Sequence, residues 1–187
     1  MRTITALFVG LGSIGTRHLK NLANLCADRG WALQADALRS DLSRPLRDGV
    51  AELLHAQYTD MADAPAHYDL VFITNPTSLH ADALTQVKGR GEALFIEKPI
   101  FSAEQTGLAL ANYLPAGQKA YVAAPMRWCG VMLALKDRLP ALHPYCARVI
   151  CSSYLPDWRP GVDYRTVYSA HKALGLSLIH ISEPTRP

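Results

Sequence analysis

Residues Thr3-Ile-Thr-Ala-Leu-Phe-Val9 run directly into Gly10-Leu-Gly12-Ser13-Ile14-Gly15 and on into Thr16-Arg-His-Leu-Lys-Asn-Leu22. An apolar strand, a glycine-rich turn and a helix follow one another without a spacer. Gly10 can make the tight turn, and Gly12 removes the side chain that would hold backbone away from a pyrophosphate. Gly15 lets the helix pack closely on the strand. Amides at the helix start, those of Ser13 and Ile14 among them, together with the helix dipole suit phosphate oxygens. The glycine pattern becomes specific through its strand and helix flanks, which point to a dinucleotide site in a parallel α/β sheet.

The rest of the chain is compatible with that start. Its 187 residues, 49% of them apolar, allow one full domain and part of a second. The formal charge is only +3, and the basic residues are scattered rather than grouped with aromatics, so no nucleic-acid partner is expected. Cys26, Cys129, Cys146 and Cys151 form no C-x-x-C pair and lack neighbouring histidines at zinc-ligand spacing. Reduced thiols in a cytoplasmic protein are expected, with no metal site. No apolar run reaches the length of a membrane span, and the N-terminal run lacks a signal-peptide cleavage pattern.

Strand and helix signals then alternate. Ile14, Leu19, Leu22, Ala23 and Cys26 recur at helical spacing up to Asp28-Arg-Gly30, and residues 31–40 read as a second strand. The end of that strand meets the adenosine ribose in nucleotide folds, and its chemistry separates NAD from NADP. Asp36 has the expected distance from the last glycine but falls inside the strand, whereas Arg39 and Ser40 occupy its end. An arginine there suits a 2′-phosphate, so NADP is favoured over NAD, with a solvated surface role the alternative for Arg39. Ser43-Arg-Pro45 predicts a helix start with Leu46, Val50, Leu53 and Leu54 as its buried stripe.

Asp69-Leu-Val-Phe-Ile-Thr74 reads as a strand covered on both faces. At its C-terminal edge lie Thr74, Asn75 and Pro76, followed by Thr77-Ser-Leu-His80, where open α/β sheets bind their ligands. His80 serves equally well as a cofactor contact or as a packed histidine of a first helical turn. A helix from Leu79 to Val87 leads to the strand 93–96 and then to Glu97-Lys98-Pro99. Lys98 thus stands at a strand end facing the nucleotide crevice. Partial desolvation there would ease its proton loss and fit it for acid/base work; a solvated Glu–Lys pair is the alternative. Ser102-Ala-Glu-Gln105 has the capping-box pattern and predicts a helix through Leu108, Leu110 and Ala111, before a last strand at 119–123.

Pro125-Met-Arg127-Trp128 and a helix through Leu133, Leu135 and Leu139, with Lys136, Asp137 and Arg138 on its outer side, mark a boundary. Residues 147–154 read as a strand of a different unit. Trp158, Arg159 and Arg165 follow as a candidate substrate wall, offering a flat apolar face and bidentate donors to a sugar or carboxylate.

Gly10-x-Gly12-x-x-Gly15, Thr74-Asn-Pro76 with His80, Glu97-Lys-Pro99 and the later Met126-Arg-Trp128, in that order, resemble the Gfo/Idh/MocA family of NAD(P)-dependent oxidoreductases. The resemblance covers about residues 2 to 170. It implies a doubly wound Rossmann domain over 1–124 and the opening of an α+β substrate domain over 125–175. It also implies that Lys98 takes the place of the catalytic lysine, with a sugar or sugar-derived substrate exchanging hydride with nicotinamide. Cofactor contacts fall on Gly10, Gly12, Ser13, Ile14, Gly15, Arg39, Ser40, Thr74, Asn75, Pro76, His80, Glu97, Lys98 and Arg127, and substrate contacts on Lys98, Trp158, Arg159 and Arg165. The full-length parent is expected to be a homo-oligomer. Where the family continues with a glycine run and an Asp/His-bearing helix, this chain has residues 176–187, which resemble a translated sequencing adapter and are set aside as non-native. The fragment is therefore expected to be inactive; a non-catalytic nucleotide-binding module and an S-adenosylmethionine-dependent methyltransferase are the alternatives.

Overall fold

The computed structural model describes residues 1–143, 145, 146, 148, 150, 154, 157 and 161–166. The chain divides into two compact units, Met1–Val122 and Ala123–Pro187.

The first unit is built on a six-stranded parallel sheet. Its strands are β1 (Thr3–Val9), β2 (Ala32–Leu38), β3 (Leu54–Tyr58), β4 (Tyr68–Ile73), β5 (Gly91–Ile96) and β6 (Lys119–Val122), in the spatial order β3-β2-β1-β4-β5-β6. The order reverses at β1 and β4, the switch point at which doubly wound sheets open a ligand crevice. The central strands are almost wholly apolar because both faces of the sheet are covered. On β1, Leu7 and Val9 enter one core with Val71, Ile73, Leu94 and Ile96, whereas Ala6 and Phe8 enter the other with Leu19, Ala35 and Phe72. Helix α1 (Ser13–Asp28) supplies Leu19 to one layer, and α2 (His80–Gln86) supplies Ala83 and Leu84 to the opposite one. Gly30, at φ +63°, ends α1, and the Trp31 amide returns to the Cys26 carbonyl at 2.9 Å.

Two expected helices are absent. Between β2 and β3 the chain forms an irregular strap with one 3₁₀ turn, Ala51–Leu53. Gly49 stands at φ +69°, a left-handed conformation that interrupts a continuous helical ladder after the Pro45 start. The backbone and hydroxyl of Ser43 both donate to Asp41 Oδ1, a local turn that competes with helix. The apolar stripe is nevertheless used: Val50 is fully buried, with Leu46, Leu53 and Leu54 packed against the same core. The second missing helix is the one expected after Ser102. The Ser102 amide and hydroxyl reach Gln105 Oε1 at 3.1 and 3.3 Å, but Gly107, at φ +92°, redirects the chain, and only the 3₁₀ turn Leu110–Asn112 follows.

The second unit holds the 3₁₀ turn Pro125–Trp128, helix α3 (Gly130–Leu142) and the turn Tyr164–Thr166. Leu133, Leu135 and Leu139, expected to point inward, are each about two-fifths exposed. The strand expected at 147–154 and the tail at 176–187 fall on positions outside the described residues, except Arg148, Ile150 and Tyr154. Among the described residues no helix is long and apolar enough to cross a membrane.

Candidate functional site

Strand register sets the geometry of the crevice. Val9 pairs with Ile73, and Ile73 with Ile96, so β1, β4 and β5 end level with one another. The residues that follow continue the ladder. Thr74 donates its amide to the Val9 carbonyl and Glu97 donates to the Ile73 carbonyl, both at 3.0 Å, while the Gly10 amide reaches Leu38 at 3.0 Å. Gly10, Thr74 and Glu97 therefore head three adjacent loops at a single sheet edge.

The three glycines meet different surroundings. Gly10 adopts φ +88°, and a Cβ on it would lie 2.8 Å from the Asn75 Cα. A Cβ on Gly15 would overlap the Gly10 carbonyl oxygen and lie 2.8 Å from Thr74 Oγ1. Thr74, itself buried, donates its hydroxyl to that same carbonyl at 2.6 Å, closing a compact Gly10–Gly15–Thr74 knot. Gly12 differs: no heavy atom lies within 4 Å of where its Cβ would be. Gly12 caps α1 without a side chain, and the first turn carries no acidic residue. The first intrahelical bond runs from the Thr16 amide to the Gly12 carbonyl, so the amides of Ser13, Ile14 and Gly15 precede the ladder and are free to receive an anion.

Asn75 donates Nδ2 to the Leu79 carbonyl at 3.2 Å, whereas its Oδ1 is buried with no hydrogen-bond partner. A buried acceptor left unpaired costs about 1–3 kcal/mol, so a donor from a ligand is its natural complement. An open glycine, uncapped helix amides and this acceptor together fit a dinucleotide. Pro76 opens the 3₁₀ turn Thr77–Leu79 that leads into α2.

His80 is fully buried. The residue is 1% exposed, with Nδ1 3.0 Å from the Ile100 carbonyl and Nε2 3.0 Å from the Asn75 carbonyl. Burial is the main influence on the ring and makes it harder to protonate, against the pull of these carbonyls and of Glu97. A neutral ring has one N–H, so it donates to one carbonyl at a time. The ring is packed, one of the two settings expected for it, and ties the Asn75 loop to the loop after Lys98.

Lys98 stands where the sequence placed it, one residue beyond the β5 ladder, and precedes a cis peptide bond to Pro99. It is exposed, so the partial burial expected of it is not present in this unit. Glu97 is not a free partner for it. Its Oε1 lies 2.7 Å from His18 Nε2, and its Oε2 accepts the Lys98 amide at 3.2 Å. His18, one helical turn beyond Gly15, was not singled out by the sequence reading. Its position on the face shared with Gly15 was the available signal. Its ring lies edge-on to Phe95 at 4.9 Å.

At the end of β2, Asp36 is 1% exposed and accepts hydrogen bonds from the Tyr68 hydroxyl at 2.9 Å and from His55 Nδ1 at 3.1 Å. Burial and the Asp36 carboxylate both push the Tyr68 phenol far above its ordinary range. The carboxylate is thus committed to the core. Arg39 follows it, donating Nη1 to Gln57 Oε1 at 2.7 Å and Nη2 to the Arg44 carbonyl, while Ser40 is exposed. Arg127 and Arg165 belong to the second unit and are exposed there. Arg165 pairs with Asp163 at 3.5 Å and lies over the Tyr164 ring. Trp158 and Arg159 lie outside the described residues.

Residues 4–121 match the oxidoreductase family GFO_IDH_MocA, described by its NAD-binding Rossmann fold. The chain is 27% identical over 135 residues to the scyllo-inositol 2-dehydrogenase (NAD(+)) of Bacillus subtilis, covering 71% of this chain and 39% of that protein. It is 28% identical over 111 residues to the uncharacterized oxidoreductase YrbE of the same organism, covering 59% and 32%. The chain thus spans about a third of the length of these relatives. Among solved structures, apo scyllo-inositol dehydrogenase from Lactobacillus casei aligns with TM-score 0.59 at 26% identity over 75% of this chain and 42% of that one. The WlbA dehydrogenase from Chromobacterium violaceum, in complex with NADH and UDP-GlcNAcA, shares the fold with TM-score 0.60 at 23% identity over 75% and 41%. With the glycine knot, the open Gly12 and the level row of loop heads carried on a parallel Rossmann sheet, the chain belongs to the Gfo/Idh/MocA family of NAD-binding oxidoreductases.

Proposed function

We propose that this chain carries the nucleotide site of an NAD(P)-dependent dehydrogenase or reductase acting on a sugar or sugar-derived substrate. The observation that carries the reading is the level register of β1, β4 and β5, which sets Gly10, Asn75 and Lys98 around one crevice mouth. Gly10, Gly12 and Gly15, with the amides of Ser13 and Ile14, hold the pyrophosphate. Thr74, Asn75 and Pro76 orient the inner ribose and nicotinamide side, with Asn75 Oδ1 as acceptor. Arg39 and Ser40 adjoin the adenosine ribose and favour NADP. Glu97 fixes the Lys98 backbone, and the Lys98 ammonium holds a proton at the reacting oxygen of the substrate. The nicotinamide supplies the hydride chemistry when bound. Arg127, Trp158, Arg159 and Arg165 serve the second unit's share of cofactor and substrate. Relatives that act on inositol support the substrate class.

The exposed side chain of Lys98 favours one alternative, a non-catalytic pyridine-nucleotide-binding module. Titration of the chain with NADH, NADPH and S-adenosylmethionine tests the ligand class, and binding of S-adenosylmethionine alone would overturn the assignment. In a chain extended to the full length of its relatives, Lys98→Ala is expected to abolish turnover while nucleotide affinity is retained; unchanged turnover would decide for the non-catalytic module. The 187-residue chain by itself is expected to bind nucleotide and turn over little sugar.

A further inference from the structure

Past Glu97 the sheet ladder ends. The Glu97 amide still donates to the Ile73 carbonyl at 3.0 Å, but among the described residues no backbone–backbone hydrogen bond holds residues 98–100. The Lys98 side chain is exposed, and among the described residues its ammonium has no hydrogen-bond or ion-pair partner. The backbone that carries it therefore sets where that ammonium stands, and side chains hold that backbone.

Two histidines supply the hold, one from each face of the sheet. His18, on α1, belongs to the layer of Phe72 and Phe95, and its Nε2 lies 2.7 Å from Glu97 Oε1. The other oxygen of that carboxylate accepts the Lys98 amide at 3.2 Å, so the ring fixes the group that fixes the lysine. His80 starts α2, which packs on the opposite layer, and its Nδ1 lies 3.0 Å from the Ile100 carbonyl. The segment from Glu97 to Ile100 is thus held at its first residue from one face and at its last from the other, with Lys98 and Pro99 between.

Each ring is also joined to a part of the nucleotide site. His18 lies one turn beyond Gly15 on the helix whose amides at Ser13, Ile14 and Gly15 precede the intrahelical ladder. A helix is rigid over so short a span, so an anion drawn to those amides and the His18 ring move together. His80 Nε2 lies 3.0 Å from the carbonyl of Asn75, the residue whose Oδ1 is buried without a partner. Burial disfavours a proton on this ring, so its single N–H serves the Asn75 loop or the Ile100 loop, and a change at one is felt at the other.

We infer that His18 and His80 are positioning residues for Lys98, a two-sided clamp that holds residues 98–100 in a fixed relation to a nucleotide bound at Gly12 and Asn75. The inference rests on the proposed placement of the nucleotide and of Lys98, and deepens it by naming what holds the lysine. Both rings act through the backbone they hold.

The test is nuclear magnetic resonance of the isotope-labelled 187-residue chain with and without NADH, beside fluorescence titration with NADH and unfolding in urea. In the native chain the Lys98 amide, on an exposed residue, should exchange with solvent at least about tenfold more slowly than a free amide. NADH should shift the amide resonances of Lys98 and Phe101 together with those of Ser13 and Asn75; the Phe101 amide shares its peptide group with the Ile100 carbonyl. His18→Leu should speed Lys98 exchange about tenfold and remove its response to NADH. His80→Leu should remove the responses of Phe101 and Lys98. His18→Gln and His80→Gln, which keep an N–H donor, should restore them. NADH affinity should stay within about twofold of native throughout, because the amides of α1 are untouched. The asparagine variants, whose shorter amides fall short of Glu97 and Ile100, stand in for a leucine variant that does not fold, with the same loss expected. A purely structural role would lower the urea midpoint and leave the Lys98 response as it is in the native chain. That outcome, or free exchange of the native Lys98 amide, would overturn the clamp and leave the nucleotide site standing. NADH that fails to bind, or that moves neither Ser13 nor Asn75, would overturn the placement of the nucleotide and the clamp with it.

Discussion

His18 on α1 and Glu97 at the end of β5 meet at 2.7 Å, so the helix that opens the glycine site is tied directly to the residue before Lys98. Both side chains are largely buried, 17% and 13% exposed. The pair spans 79 residues of sequence and is seated on Phe95 and Phe72. Replacement of either member leaves the other with an unmet buried polar group. His18→Leu and Glu97→Ala should each lower the free energy of unfolding by about 1–3 kcal/mol. A double-mutant cycle in urea should return a coupling of about 1 kcal/mol; strictly additive losses would show that the contact carries no energy of its own.

The glycines should separate stability from binding. A methyl at Gly15 collides with the Gly10 carbonyl and Thr74, and Gly15→Ala is expected to cost about 2 kcal/mol or more. Gly12 has open space and an extended backbone at φ −67°, so Gly12→Ala should cost less than about 1 kcal/mol. The same Gly12 methyl should weaken NADPH and NADH alike by about tenfold or more, equivalent to some 1.4 kcal/mol. Calorimetric unfolding and nucleotide titration on the two variants check this. A Gly12→Ala chain that binds as well as the native one would move the pyrophosphate elsewhere.

His80 should make the fold sensitive to mild acid. Burial lowers the affinity of its ring for a proton, so between the ordinary histidine value near pH 6.5 and the lower folded value the unfolded chain binds more protons. Stability is therefore full above that ordinary value and falls as pH drops through the window. His80→Gln should flatten this part of the stability profile, and His80→Leu, which leaves the Asn75 and Ile100 carbonyls without their shared donor, should cost about 2–3 kcal/mol at neutral pH. Urea denaturation across pH 5 to 8 measures both, and an unaltered slope in the glutamine variant would contradict the assignment.

Asp69 should act at lower pH. Its Oδ2 accepts the Thr5 amide at 2.7 Å and the Thr5 hydroxyl at 2.9 Å, clasping β4 to β1. The amide bond is the largest influence and holds the carboxyl below its ordinary value, with burial opposing. A depressed carboxylate contributes above the unfolded value near pH 4 and loses that contribution as pH falls through the folded one. Asp69→Asn should be less stable than the native chain at pH 7, and the two stabilities should converge as pH falls through the folded value.

The parallel sheet and its switch point were legible because strand, glycine turn and helix appear in an order that little else produces, and because Leu7, Phe8, Val71 and Ile73 leave no polar face. Burial of Val50 and Leu46 was legible as well. Their secondary structure was not, since apolar spacing records which residues reach the core while the Asp41–Ser43 turn and Gly49 decide the path by which they do so. Ser102 illustrates the converse: its capping contacts to Gln105 form, but a cap starts a helix only if the following residues continue it, and Gly107 does not. At the site, strand-end positions such as Lys98 and Asn75 follow from register. His18 and the two-carbonyl setting of His80 depend on tertiary neighbours 79 and 20 residues away, which local pattern cannot encode.

The arginine-bearing strap is joined to the sheet through Arg39 and a few apolar anchors and to α1 through Lys20, and among the described residues it shares no backbone ladder with the row formed by Gly10, Thr74 and Glu97. Residues 41–49 can therefore lengthen, shorten or change charge without altering the height at which Asn75 and Lys98 leave the sheet. Inserting a residue at 74 or 97 would rotate every following side chain about the strand end. The strap and the row of strand ends are thus separately mutable: one can vary in length and charge while the other keeps its register.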